Sequence, residues 1–225
     1  MKNGRLIMFI MLFAAVPVAA SAQVPEATDI LASEIETVRQ TLGPSIDQQI
    51  KIADIGDGNV AVGVLHPCTI HIGGSVGYYA ATMIDGPEVT IAGNAGWALG
   101  ENMMSGKITL ARDAGASVGS SMRGGEIFVG GSAGARAGIS MKGGTLIVRG
   151  NTGFMTGFMM QKGRIIVCGD VGDAAGDSMY EGTIYSGGEV GTLGADAKIE
   201  ESTEDELIEI WSLLEANGIS ERPHF

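Results

Sequence analysis

Glycine recurs along most of this chain at a fixed interval of nineteen residues. The first column comprises Gly77, Gly96, Gly115, Gly134, Gly153, Gly172 and Gly191. Two more columns keep the same step: Gly100, Gly119, Gly138, Gly157 and Gly176, and then Gly106, Gly125, Gly144, Gly163 and Gly182. Glycine tolerates positive φ and close backbone approach, and a period of this size is typical of stacked structural repeats. The period therefore restricts the chain to a solenoid or a related array.

Apolar residues follow the same nineteen-residue step and indicate strands. One aliphatic column runs from Ile70 to Ile184, and a second lies two residues later, from Ile72 to Val167. Side chains two residues apart in a strand share a face, so both columns are expected to point into a core. A methionine column is in phase with them and is expected to stack inward as well: Met103, Met122, Met141, Met160 and Met179.

The repeat predicts an all-β fold, a right-handed parallel β-helix built as a single-stranded solenoid. Each rung, meaning one nineteen-residue turn of the coil, would pair its strand in parallel with the strand of the next rung. About seven rungs would span residues 67–196. Parallel crossover connections within one sheet are overwhelmingly right-handed, whereas a left-handed helix of hexapeptide units does not fit a period of nineteen. The glycines, Gly134 among them, are expected at corners where other residues would be strained.

The N-terminus predicts a signal peptide over residues 1–22. Lys2 and Arg5 precede an apolar run, and small residues lead up to Gln23 as a cleavage motif would require. The apolar run is shorter than the ~20 residues of a membrane span, so no span is expected. This segment predicts export to the periplasm or the exterior.

Two further segments flank the repeat. Residues 23–66 are expected to form an N-terminal segment that covers the first rung, with a short helix around residues 35–41. Residues 197–225 are expected to form a helix and tail, since Thr203 and Glu206 have the spacing of a capping box. The helix carries an apolar stripe, which we expect to dock on the solenoid as a cap: Leu207, Ile210, Trp211 and Leu214.

The net charge argues against nucleic acid as a partner, and the spacing of the two cysteines argues against an internal disulfide. The formal net charge is −12, from 26 acidic and 14 basic residues. So acidic a surface repels phosphate backbones and anionic lipid headgroups, and nucleic acid is not an expected partner. Cys68 and Cys168 are more than five rungs apart, or about 24 Å at ~4.8 Å per rung. An internal disulfide is therefore not expected.

No catalytic, cofactor or metal site is predicted in this chain. His66, Cys68 and His71 are close in sequence, but strand alternation turns Cys68 inward and His71 outward. The carboxylates do not align as β-helical glycosidases and lyases require, and nucleophile-elbow, P-loop and Cys-x-x-Cys motifs are absent. A polar column is expected to form local turn hydrogen bonds: Ser75, Asn94, Asp113, Ser132, Asn151 and Asp170.

Several motifs resemble those of a known family. They are Gly73-Gly-Ser-Val-Gly77, Gly93-Asn-Ala-Gly96, Glu101-Asn-Met-Met-Ser-Gly106, Gly138-Ile-Ser-Met-Lys-Gly143, Gly176-Asp-Ser-Met-Tyr-Glu-Gly182 and Leu193-Gly-Ala-Asp196. Over about residues 59–225 the chain resembles the GXGXG domain at the C-terminus of the large subunit of glutamate synthase. It is more similar still to the stand-alone small subunit of glutamate-synthase-like complexes such as methylglutamate synthase.

The resemblance implies a noncatalytic scaffold that packs against a glutamine amidotransferase-like subunit and an FMN-binding glutamate-synthase-like subunit. Flavin mononucleotide and an iron–sulfur cluster would belong to the partner, and this chain would hold no cofactor. The family is cytoplasmic, in contrast to the signal-like N-terminus, and its members continue a few residues beyond the position of Phe225. Candidates for partner contacts are side chains expected to be exposed on the solenoid faces: Glu126, Phe128, Arg136 and Arg149.

Two other functions fit parts of the sequence. The C subunit of a formylmethanofuran dehydrogenase-type complex has similar glycine-rich β-helical repeats. A secreted structural or carbohydrate-binding β-helix would agree with the signal-like N-terminus. The neighbouring genes would separate these alternatives from the glutamate-synthase-like role.

Overall fold

A computed structural model of the chain describes residues 49–52, 58–223 and 225. In this part of the chain, one parallel sheet forms the coil and one helix packs on its outside. Within these residues the strands are β1 (Gln49–Ile52), β2 (Thr69–Ile72), β3 (Glu88–Ile91), β4 (Lys107–Leu110), β5 (Glu126–Val129), β6 (Lys142–Val148), β7 (Lys162–Val167) and β8 (Thr183–Ser186), and the helix is α1 (Glu204–Ala216). The strands follow chain order across the sheet, and every neighbouring pair is parallel. The predicted β-solenoid with a C-terminal helix is confirmed, and its right-handed sense stays a prediction.

The strand register follows the sequence period. Ile70 pairs with Val89, nineteen residues on, and the later strands keep this step, except that Lys142 of β6 pairs with Lys162 of β7 at an interval of twenty. β1 pairs with β2 at an interval of twenty residues. The sheet therefore begins one strand before the glycine repeat, inside the predicted N-terminal segment. The signal-like residues 1–22 and the helix predicted around residues 35–41 lie outside the described residues.

Alternation along each strand places one face in the core. In β3 the side chains of Val89 and Ile91 are buried, whereas those of Glu88 and Thr90 are exposed. A second ladder of single-residue parallel bridges connects the rungs, through Val76, Ala95, Ala114, Ala133, Thr152, Val171 and Val190. The methionine column lies in the same core, with Met103, Met122, Met141 and Met160 fully buried and Met179 partly buried. Each fully buried methionine contributes roughly 1.5–3 kcal/mol to folding.

Positive φ is concentrated in two of the three glycine columns and at non-glycine positions beside them. Gly100 (φ 69°) represents one column and Gly106 (φ 99°) the other. Arg136 (φ 58°) and Ser140 (φ 52°) adopt the same left-handed conformation without being glycine, at roughly 1–2 kcal/mol each. Hydrogen bonds to adjoining rungs offset this cost, since the Arg136 N–H donates to the Phe154 carbonyl at 2.8 Å.

The first glycine column is required by close backbone approach. Gly134 does not have a positive φ, so of the two reasons for glycine, positive φ and close backbone approach, the first does not apply at this residue. The preceding rung lies so close that a Cβ at Gly134 would be 2.8 Å from the Ala116 nitrogen and 2.9 Å from the Gly115 carbonyl carbon. The backbone of Ala135 crowds Gly153 in the same way. Glycine is required here because of the stacking distance between rungs.

The polar column joins successive rungs. Ser75 Oγ accepts a hydrogen bond from the Asn94 N–H at 3.0 Å, and Asn94 Oδ1 accepts one from the Asp113 N–H at 3.2 Å. The series ends where Asp170 Oδ1 accepts from the Glu189 N–H at 2.8 Å. The prediction of local turn bonds is therefore wrong. Each of these side chains bonds a backbone amide one full rung further along the coil.

Helix α1 begins with the predicted capping box. Thr203 Oγ1 accepts from the Glu206 N–H at 3.3 Å, and the Glu206 carboxylate accepts from the Thr203 N–H at 2.8 Å. The Thr203 N–H and the Thr203 hydroxyl both donate to the Glu206 carboxylate and hold its pKa below the ordinary value, with a smaller effect from the Tyr185 hydroxyl. The buried residues Ile210 and Leu214 dock on the chain's own coil, as the stripe predicts. They lie against the outer side of strands β5 to β7 rather than across an open end.

Candidate functional site: a partner-binding face

The residue after the first glycine column stands on the outside of the coil in successive rungs. At three of these positions the side chain is aromatic and exposed: Tyr78 by 57%, Trp97 by 61% and Phe154 by 48%. Ala116 and Ala135 occupy the two steps between Trp97 and Phe154. We call these five residues the aromatic face. Exposed apolar side chains that gather on one side of a protein typically mark an interaction surface.

Glycine makes room for the rings of the aromatic face. A Cβ at Gly96 would lie 2.7 Å from Cδ1 of Tyr78, and a Cβ at Gly115 would lie 2.7 Å from Cδ1 of Trp97. Each ring therefore lies over the glycine of the next rung. The ring centroids are 5.7 Å apart with an interplanar angle of 45°, which is within the favourable range for aromatic pairs. The two rings are thus held along the coil while much of their surface remains in solvent.

The aromatic face contains a gap between two of its rings. Trp97 and Phe154 are three rungs apart, or about 14 Å at ~4.8 Å per rung. Only alanine side chains occupy the steps between them, and the exposed Arg136 stands beside Ala135. Tryptophan, tyrosine and arginine carry most of the binding energy in many protein interfaces. This arrangement suits a projecting side chain of a partner protein.

A second apolar surface lies on the outer side of the sheet and is covered by the chain itself. The outward column of the strands holds Thr90 and Thr109, and then becomes Phe128, Ile147 and Ile166. We call the last three residues the covered face. They form a separate buried cluster with residues of α1 and the segment after it, Ile210, Leu214 and Ile219. The change from threonine to large apolar residues is the sequence signal that could have located the docking position of α1.

Two of the four predicted contact residues are engaged within the chain. Phe128 is only 8% exposed because α1 covers it, so the prediction of an exposed Phe128 is wrong. Glu126 forms an ion pair with Lys107 at 2.7 Å. The other two predicted residues are exposed, Arg136 and Arg149. Sequence reasoning missed the aromatic face, although its residues share one position in the nineteen-residue repeat.

The perturbed ionisable groups reflect packing and capping. Burial raises the pKa of the Cys68 thiol, and it raises that of Cys168 to about 11, partly opposed by Arg149. Both cysteines are free thiols. In the described part of the chain, no three His, Cys, Asp or Glu side chains gather in a way that could hold a metal ion. No helix among the described residues combines the length and apolar character needed to cross a membrane.

These features define a class of protein, a β-solenoid whose rungs are spaced by glycine and whose outer surface has one covered and one exposed apolar face. A family profile described as the GXGXG motif matches residues 18–221. The match includes the whole glycine repeat and α1. The chain belongs to the GXGXG motif family. A search of the curated proteins finds no match.

Proposed function

We propose that this chain is a noncatalytic, structural subunit of a glutamate-synthase-like amidotransferase and oxidoreductase complex. Membership of the GXGXG motif family supports the proposal, as do the repeat motifs that resemble the stand-alone small subunit of such complexes. The observation that carries it is the aromatic face, since the chain buries one outer apolar face under its own helix and leaves this one exposed. The partners would be a glutamine amidotransferase-like subunit and an FMN-binding glutamate-synthase-like subunit.

The coil suits this role because its rungs are bonded to both neighbours. The Arg136 N–H donates to Phe154 in the next rung, and the Gly138 N–H donates to Val118 in the preceding rung, both at 2.8 Å. Such alternating bonds resist bending between rungs. A rigid subunit that binds two enzymes fixes their separation and raises the effective concentration of a product that passes between them. Flavin mononucleotide and the iron–sulfur cluster would be bound by the partner, and this chain would contribute no reacting group.

The aromatic face would supply the anchoring residues of the interface. Truncating one anchoring aromatic residue in an interface typically costs about 2 kcal/mol or more. A stable interface buries about 800 Å² on each partner, which is more area than a few rings provide. The contact would therefore extend to further exposed side chains of the coil, such as Met83 (50% exposed) and Met159 (40% exposed).

Co-purification tests this proposal with three tagged versions of the full chain in its own cells. They are the natural chain, the variant W97A/F154A on the aromatic face, and the control T90A/T109A on the outer side of the sheet. We expect the natural chain and the control to retain an amidotransferase-like and a flavin-binding protein, and W97A/F154A to lose at least one of them.

Recovery of neither enzyme with the natural chain would reject the proposal. Recovery of a molybdenum or tungsten pterin enzyme instead would favour a subunit of a formylmethanofuran dehydrogenase-type complex.

A carbohydrate-binding function is the second candidate, and the exposed pair of Tyr78 and Trp97 is the observation that favours it. Each ring offers a flat apolar surface with a polar edge, which matches the face of a sugar ring. Retention of the exported chain on immobilised glycans as a monomer, with loss of retention in W97A, would favour this function over the subunit role.

A further inference from the structure

The C-terminal end of the coil has an unpaired strand edge. Among the described residues, β8 pairs with β7 and with no other strand. In the rungs before it, the equivalent carbonyls each accept from the following rung: Val148 from the Cys168 N–H at 2.9 Å, and Val167 from the Gly187 N–H at 2.8 Å. Ser186 is the next step of that column, and no described backbone N–H donates to its carbonyl. The edge of β8 therefore presents the pattern that receives another strand.

The polar ladder stops at the same end. Asp170 accepts from the Glu189 N–H at 2.8 Å, and this is the last bond in the series. Glu189 takes the next position in the column and is exposed. Its carboxylate is one methylene group longer than that of Asp170, so it would reach a cation or a backbone N–H of a further layer.

Apolar side chains in and after the last rung are exposed. Tyr180 is 78% exposed, Ile199 77% and Leu193 42%. Residues 192–197 form a partial last turn, in which the Ala175 N–H donates to the Thr192 carbonyl at 2.9 Å. This turn covers the side of the rung near Ala175, and among the described residues the edge of β8 away from β7 has no partner strand. We call the edge of β8, with Tyr180, Glu189, Leu193 and Ile199, the open end.

Charge at the open end selects among possible occupants. Glu181, Glu189, Asp196 and Glu201 are exposed there. Of the nearby cations among the described residues, Arg164 is paired with Glu209, Lys198 with Glu200 and Arg222 with Glu215, whereas Lys162 is exposed one rung before Glu181. Two open ends brought together would place like charges opposite each other, which disfavours a second copy in that arrangement. A segment with lysine or arginine at its ends would be attracted instead.

We propose that the open end binds an extended segment of a partner protein, which adds to β8 as a further strand and carries basic residues at its flanks. Strand addition uses main-chain hydrogen bonds for affinity and side-chain contacts for specificity. The apolar side chains of the added strand would cover Leu193, and its flanking cations would meet Glu189 and Glu181. This inference rests on the proposed function only in requiring a partner protein, and it concerns a different surface from the aromatic face.

Selection from a display library of random peptides about ten residues long, near the upper length of an ordinary strand, tests the inference on the full chain. We expect the selected peptides to be rich in β-branched residues, free of central proline and flanked by lysine or arginine. A selected peptide should slow hydrogen exchange at the Ile184 and Ser186 amides. The variant E189K should weaken its binding about five-fold, whereas E88K, a matched change on β3, should leave it unchanged.

Three results would overturn the inference: no peptide selected, equal binding to the natural chain and E189K, or protection that falls away from β8. Concentration-dependent self-association that protects β8 would also overturn it, in favour of a second copy. Peptide binding at the open end without co-purification of the two enzymes would uphold this inference and reject the proposed function. Co-purification of the two enzymes without peptide binding would reject this inference and uphold the proposed function.

Discussion

The covered face and the aromatic face are apolar surfaces on the outside of the same coil, yet only the first is buried by the chain. Ile147 and Ile166 have no exposed surface beneath α1, whereas Trp97 is 61% exposed. Burial of apolar area contributes roughly 25 cal/mol per Å². The covered face therefore stabilises the fold, while the aromatic face can contribute comparably only when another molecule covers it. The difference separates side chains that folding requires from side chains available for recognition.

Removing a large side chain from the covered face should produce the greatest loss of stability. Phe128→Ala deletes a ring that packs among Ile147, Ile166 and α1, and we expect the free energy of unfolding to fall by about 3–5 kcal/mol. Urea unfolding followed by circular dichroism measures this loss. Thr109→Ala, in the same outward column of the uncovered part of the sheet, should cost less than about 1 kcal/mol. Equal losses for the two variants would contradict the distinction between covered and uncovered parts of the sheet.

A side chain placed in the first glycine column should also destabilise the coil beneath the aromatic face. Gly134→Val forces a branched side chain against backbone atoms 2.8 and 2.9 Å from its Cβ, and we expect a loss of about 3 kcal/mol. Thermal unfolding compares it with Ala135→Val, the neighbouring residue on the aromatic face, for which we expect less than about 1 kcal/mol. Unchanged stability of Gly134→Val would show that the rungs are not as closely stacked as the structure indicates.

Alkaline pH should reveal a smaller contribution to stability, made by the neutral Cys168 thiol on the side of the sheet that α1 covers. Cys168 is partly buried against the α1 cluster, and its pKa is raised from 9.0 to about 11, chiefly by burial. Below pH 9 the thiol is neutral in both the folded and the unfolded chain, so its contribution is fully present. Between pH 9 and about 11 it ionises more readily in the unfolded chain, and the free energy of unfolding should fall as pH rises.

The variant Cys168→Ala should lose that part of the pH dependence, measured as the slope of unfolding free energy between pH 9 and 11. Cys68→Ala is the matched comparison in the main core, where burial also raises the thiol pKa. Identical slopes for the natural chain and Cys168→Ala would show that ionisation of Cys168 does not cause the loss of stability at alkaline pH.

Features that repeat in the sequence could be predicted, whereas features set by contacts between rungs could not. The inward methionines and the start of α1 leave periodic or local patterns, and both were predicted. The strand β1 has no glycine column and pairs at an interval of twenty, so the repeat did not reveal it. A glycine such as Gly134 shows in the sequence that a side chain is excluded, but not whether φ or crowding is the reason.

The candidate site was harder to predict than the fold. Tyr78, Trp97 and Phe154 share one position in the repeat, but alanines at two steps interrupt the aromatic residues. Phe128 occupies an outward strand position, and strand alternation alone predicts that it is exposed. Only the packing of α1 shows that it is buried. Exposure on a solenoid surface therefore depends on where distant segments dock, which nineteen-residue periodicity does not record.

The smallest effect on stability should accompany the largest effect on binding, at Trp97. Its ring is mostly exposed and packs only against the ring of Tyr78 among the described aromatic residues. Trp97→Ala should therefore change the free energy of unfolding by less than about 1 kcal/mol. Its partner affinity should fall by about 2 kcal/mol or more, roughly thirty-fold. The most direct measurement combines unfolding of Trp97→Ala with quantitative co-purification of the amidotransferase-like and flavin-binding proteins. We expect full stability with depleted partners; a stability loss like that of Phe128→Ala, or undiminished recovery of both partners, would contradict a recognition role for the aromatic face.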